Sequence, residues 1–99
     1  MVRVHPISKK RLIYVSPQTT TNILGVRDFK SDKILDMLYR LPKIPEYQFR
    51  ATWEPNMIVL WDNRSVQHYA PRDYLPAHRR MERLTIRGDR PYGVAGLKL

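Results

Sequence analysis

The sequence contains no cysteine. That excludes disulfide bridges, thiolate metal ligands and a cysteine nucleophile, and it fits a reducing cytoplasmic setting. Long apolar runs are missing too. The opening stretch MVRVHPISKKRLIYVSPQTT lacks the apolar segment of a secretory signal. No stretch approaches the roughly 20 apolar residues of a membrane-spanning helix, so no membrane partner is expected. Glycine is scarce, at four residues, three of them within 87–99. No G-x-G-x-x-G or Walker loop is present to cradle phosphates, and H-E-x-x-H, G-x-S-x-G and H-x-D are also absent. Acidic residues number nine against eighteen lysines and arginines, which leaves a net charge of +9.

What is present supports folding. With 99 residues, 42% of them hydrophobic, and two Trp, six Tyr and two Phe, the chain has enough apolar material to be expected to fold. A chain this short is one domain or part of one, with a modest core and little stability to spare. The positive charge has two readings, an ordinary basic surface or attraction to anions such as nucleic acids, carboxylates, sulfonates and phosphates. The basic clusters KKR (residues 9–11) and HRR (residues 78–80) are short. The aromatics alternate with polar residues as in core strands and form no exposed stacking platform, so no nucleic-acid partner is expected.

The pattern along the chain is mostly β with one helix. KRLIYVS (residues 10–16) has the β-branched and aromatic content of a strand. Ile34, Leu35, Leu38 and Leu41 recur at helical spacing, with Ser31 as N-cap, Asp32 in the first turn and Pro42 as the stop. The spacing predicts a helix over 31–41. EYQFRATWEP alternates, with Tyr47, Phe49, Ala51 and Trp53 on one face. EPN is a turn signal, and MIVLWD reads as a strand buried on both faces, so residues 46–62 are expected to form a hairpin. RSVQHYA places Val66, His68 and Ala70 on one face. PRDYLPAH is a loop, RRMERLTI alternates as a further strand, and residues 87–99 read as irregular.

Three residues carry candidate chemistry. On a strand, Arg79 and Arg83 share one face about 13 Å apart, from a rise of roughly 3.3 Å per residue. Two readings fit: a solvent-facing edge with ordinary arginines, or a pair that grips carboxylates or sulfonates by bidentate, charge-assisted hydrogen bonds. His68 is the one histidine flanked by strand-like apolar residues. It serves either as a packed structural side chain or as an imidazole ligand to a transition metal. His5 and His78 have no spaced histidine or carboxylate partner.

The block W-D-N-R-x-x-x-H-Y-A followed by R-x-x-x-R, with PEYQFRATWEPN before it and GDRP after it, resembles the C-terminal part of the TauD/TfdA family. These are iron(II)- and 2-oxoglutarate-dependent dioxygenases, and the similarity is greatest to the taurine-oxidising members. It runs ungapped from VRVHP to GDRPYG. It implies the C-terminal half of a double-stranded β-helix, or jelly roll, with residues 1–99 as a single partial domain. It implies that His68 is the third protein ligand of a 2-His-1-carboxylate iron site, and that Trp61 stands near the iron. Arg79 would pair with the far carboxylate of 2-oxoglutarate, and Arg83 with the anionic head of the substrate. The implied activity couples decarboxylation of 2-oxoglutarate to succinate with hydroxylation of a small sulfonated or otherwise anionic substrate, sulfonates then losing sulfite.

The chain departs from the family in two ways. Its H-x-D, which supplies the other two ligands, is absent, so the 99-residue chain alone is expected to be inactive. It is also expected to expose sheet edges, and hence to associate with itself or with the missing N-terminal part of the barrel. Thr19 falls where the family has an aromatic residue beside taurine. That leaves other sulfonates, alkyl sulfates and carboxylates open as substrates. The alternative is a noncatalytic module that binds a partner or assembles as an oligomer.

Overall fold

The structure, a computed structural model, describes residues 1–94. Strands β1 (Val2–Val4) and β2 (Arg11–Ile13) pair antiparallel, with Arg3 opposite Leu12. Helix α1 (Asp28–Arg40) follows, then two single 3-10 turns, Leu41–Lys43 and Pro45–Tyr47.

The strand expected over 10–16 is realised as Arg11–Ile13, extended by one bond from Tyr14 N–H to the Met1 carbonyl at 2.7 Å. The hairpin closes where His5 N–H donates to the Lys10 carbonyl and Lys9 N–H donates to the His5 carbonyl, both at 2.9 Å. Lys9 sits at φ +61° to make this turn. A left-handed backbone costs a residue with a side chain roughly 1–2 kcal/mol, which the two bonds offset. Burial over residues 2–5 runs against side-chain polarity. Arg3 and His5 are buried, while Val2 and Val4 are half-exposed. The Arg3 guanidinium lies over the Tyr14 ring, 4.5 Å from its centroid, so its flat face packs like an apolar group.

Helix α1 starts three residues before the N-terminus expected at Ser31. Arg27 occupies the cap position without a side-chain bond, Asp28 brings negative charge to the first turn and Arg40 positive charge to the last. Ser31 is fully buried within the helix, and its Oγ accepts the Ile23 N–H at 2.8 Å. The Tyr39 hydroxyl donates to the Thr20 carbonyl at 3.2 Å. The two bonds draw the preceding loop back onto the helix, over a core of Leu35 and Val15. The helix ends beside Pro42, as expected.

The hairpin expected over 46–62 is not formed. Its turn is present: Met57 N–H donates to the Glu54 carbonyl at 3.2 Å, with Asn56 at φ +64°. Pro followed by a positive-φ Asn is what a type II turn requires. The flanking strands are absent; β1 and β2 are the only strands among the described residues. Ile58 and Leu60, expected inside, are 93% and 83% exposed. The strand expected over 79–86 is absent as well, with Leu84 97% exposed. The physical reason is that alternation states which side chains a strand would bury, whereas a strand forms only when a neighbour takes its N–H and C=O groups. No neighbour does so among the described residues. The radius of gyration is 16.4 Å, against about 13 Å for a compact domain of this length. The fold shown is therefore one helix with a two-stranded sheet; the jelly roll is not shown. No helix among the described residues is long and apolar enough to cross a membrane. The tail is irregular as far as residue 94, and 95–99 lie outside the described residues.

Candidate functional site

Residues 61–68 fold around Asp62. Its carbonyl accepts the N–H groups of Ser65 at 3.1 Å and Val66 at 2.9 Å, and its Oδ1 accepts the Arg64 N–H at 2.9 Å. Aspartate suits such a turn because its short carboxylate reaches the backbone two residues on. The Arg64 guanidinium returns to the same carboxylate, Nε to Oδ1 and Nη2 to Oδ2, both at 2.8 Å. Trp61 Nε1 donates to Asn63 Oδ1 at 2.8 Å. W-D-N-R therefore closes on itself, each side chain bonded to another in the tetrapeptide.

Two bonds tie this segment to residues just beyond the two strands. His5 Nε2 lies 3.0 Å from Asp62 Oδ2, and Gln67 Nε2 donates to the Val15 carbonyl at 2.6 Å. The hydrogen bonds from Arg64, and secondarily that from His5, hold the Asp62 carboxyl well below the usual carboxylate range; desolvation opposes them and loses. The same ion pair raises the Arg64 guanidinium. Asp62 is thus an anion at neutral pH, already saturated with donors.

His68 emerges from this turn with its ring against Trp61, centroids 4.7 Å apart and planes tilted by 41°. Both residues line an open cavity of about 410 Å³, together with Arg64 and residues 83–88, Arg83 included. Arg79 and Arg83 do not share a strand face, since no strand forms there. Arg79 is exposed and lies outside the cavity, its guanidinium 5.5 Å from the Tyr74 ring centroid. Thr19 also lies outside it, in an exposed turn after β2, with its hydroxyl 3.3 Å from Ser16 Oγ. The structure brings together Trp61, His68 and Arg83, and leaves Arg79 and Thr19 apart from them.

An iron site of the facial-triad kind needs three protein ligands. Among the described residues no three His, Cys, Asp or Glu side chains converge as a metal site requires. His68 supplies one imidazole, and the described residues by themselves do not fit a bound iron. Sequence reasoning missed the partnership of His5 with Asp62. No local pattern signals a bond across 57 positions, and Asp62 was expected at the end of a strand rather than in a turn.

The cavity defines a class: a basic, open ligand site lined by one histidine and by Arg64, Arg83 and Arg87, without a complete metal-ligand set among the described residues. The chain belongs to the taurine catabolism dioxygenase TauD, TfdA family, whose model matches residues 1–85. It is 41% identical over 93 residues to the alpha-ketoglutarate-dependent sulfonate dioxygenase of Saccharomyces cerevisiae, across 92% of this chain and 23% of the yeast protein. It is 34% identical over 98 residues to the alkylsulfatase of Acinetobacter baylyi, across 99% of this chain and 31% of that protein. With the alpha-ketoglutarate-dependent sulfate ester dioxygenase of Pseudomonas putida the identity is 35% over 96 residues, across 97% of this chain and 32% of the relative. The chain thus spans about a quarter to a third of the length of these relatives. No solved structure gives a significant match.

Proposed function

We propose that this chain is the C-terminal part of an Fe(II)- and 2-oxoglutarate-dependent dioxygenase acting on a small sulfonated or sulfated substrate. In this reading residues 1–99 are one partial domain. His68 is one iron ligand and the other two come from polypeptide outside residues 1–94. By the family resemblance Arg83 holds the anionic head of the substrate, Arg79 the far carboxylate of 2-oxoglutarate and Thr19 a place in the pocket wall; Arg79 and Thr19 lie outside the cavity lined by His68 and Arg83, so the resemblance is what supports their roles. Succinate and carbon dioxide are the products from the cosubstrate, and a sulfonate substrate also yields sulfite. The observation that carries the reading is the cavity that His68, with its ring against Trp61, and Arg83 line together. The sulfonate and sulfate ester chemistry named for the relatives supports the substrate class. An anionic head held by a guanidinium restricts how the remainder of a small molecule lies in the same cavity. The test is 2-oxoglutarate-dependent oxygen uptake by the polypeptide that contains this chain, with taurine and an alkyl sulfate as probes. His68→Ala should abolish uptake; undiminished uptake by that variant would overturn the reading.

A second reading, a noncatalytic assembly module, is favoured by one observation. Phe49, Ile58 and Leu84 are each more than nine-tenths exposed, apolar side chains that association would cover. Sedimentation of the 99-residue chain separates the two readings, because a well-folded monomer at high concentration argues against assembly.

A further inference from the structure

The proposed role of His68 requires its ring to be held in place, yet the segment that carries it has no strand or helix to hold it. From the pattern of hydrogen bonds we infer that His5 is a positioning residue for His68, acting through Asp62.

Every hydrogen-bonding group of His5 is engaged. Its N–H and C=O close the β1–β2 hairpin on Lys10 and Lys9. Nδ1 accepts the N–H groups of Ile7 at 3.3 Å and Ser8 at 3.1 Å. Two donors at Nδ1 require a lone pair there, so the proton resides on Nε2, and Nε2 donates to Asp62 Oδ2 at 3.0 Å. The side chain is buried, locked to the sheet on one side and aimed at the turn on the other. Asp62 transmits that hold. Its backbone carbonyl and Oδ1 build the turn that runs from Trp61 to Val66, and His68 follows two residues later. The Gln67 bond to Val15 fixes the far end of the same segment to the chain just after β2. The Trp61–His68 ring pair is therefore suspended between two tethers, one through His5 and one through Gln67. Of these, only the His5 tether reaches the turn that sets where Trp61 stands.

The consequence for catalysis rests on the proposed role of His68, but the positioning does not, and the test uses the metal-free 99-residue chain. His5→Asn keeps an acceptor near the place of Nδ1, so the local turn over residues 5–8 is retained, while the donor to Asp62 is removed. His5→Gln puts an amide N–H near the place of Nε2 and restores that donor. Asp62→Asn breaks the same link from the other side. The readouts are the His68 ring resonances, which carry a ring-current shift from Trp61, and the Trp61 indole N–H. His5→Asn should displace both while the α1 amide resonances stay in place. His5→Gln should return them toward wild type, and because Asp62→Asn also weakens the Arg64 bonds, His5→Asn combined with Asp62→Asn should displace them no further than Asp62→Asn alone. Unmoved His68 and Trp61 resonances in His5→Asn, or additive displacement in the double variant, would overturn the inference. Should His5→Asn fail to fold, His5→Gln against Asp62→Asn decides: wild-type ring shifts in the first with displaced shifts in the second support it, and equal shifts in both refute it. Failure of the iron reading would appear separately, as active enzyme from His68→Ala, and would leave these spectra unchanged.

Discussion

Ser31 has two physical accounts that predict opposite rankings of two substitutions. Inside α1 its Oγ is the acceptor for the Ile23 N–H. Removing it leaves that half-buried donor short of a partner, at a cost of about 1–2 kcal/mol, toward the lower end for a buried unsatisfied group. Ser31→Ala recovers roughly 0.5 kcal/mol because alanine is the better helix former, so the net loss is about 0.5–1.5 kcal/mol. Ser31→Gly loses the same bond and is a further ~1 kcal/mol worse than alanine in a helix interior. At an N-cap the order inverts, since glycine replaces serine there for a few tenths of a kcal/mol while alanine costs about 1 kcal/mol. Urea unfolding followed by far-ultraviolet circular dichroism reports on α1, the one α-helix among the described residues. With a slope of about 1 kcal/mol per molar urea, the Ser31→Gly midpoint should fall roughly 1 M below that of Ser31→Ala. A glycine midpoint at or above the alanine one would refute the interior placement of Ser31.

The remaining predictions concern core, charge and ligand. Leu35→Ala should cost about 2 kcal/mol in the same urea assay, the low end for a buried leucine, because so small a core collapses readily around the gap. Asp62 has a lowered carboxyl in the folded chain, so the unfolded chain binds that proton more readily and the folded state is favoured above the unfolded value. The difference in stability between wild type and Asp62→Asn should accordingly stay constant from neutrality down to about pH 4 and shrink below it; a difference still unchanged well below pH 4 would exclude the carboxylate as its source. In the active enzyme, Arg83→Ala should raise the KM for the sulfonated substrate more than that for 2-oxoglutarate, and Arg79→Ala should do the reverse. Exchanged effects in steady-state kinetics would exchange the two assignments.

Much of the local structure was legible along the chain. The spacing of Ile34, Leu35, Leu38 and Leu41 marked α1, Pro42 marked its end, and Pro55–Asn56 marked a turn. Each depends on interactions within a few residues. Ser31 misled because serine suits an N-cap on local grounds, whereas its burial depends on an N–H eight positions upstream. The segments over 46–62 and 79–86 misled for the complementary reason. Their alternation is genuine, but it records an affinity for neighbours, and among the described residues no neighbouring strand takes their backbone bonds. For the candidate site, the W-D-N-R-x-x-x-H block pointed to Trp61 and His68. That Arg83 shares their cavity while Arg79 does not was beyond any spacing argument, because the strand that would have put both on one face is not formed.

Periodicity, turn chemistry and one specific motif were enough to place the helix, one tight turn and the family. The three-dimensional arrangement alone revealed that His5, just after the first strand, donates to Asp62 further along the chain, and that Arg3 and His5 rather than the adjoining valines are buried. The difference is one of range. A helix turn or a β-turn is closed by groups three or four residues apart, so its signal lies in a short window. A hydrogen bond between residues 57 positions apart is made only after the chain has folded, and neither partner's own neighbours foretell it.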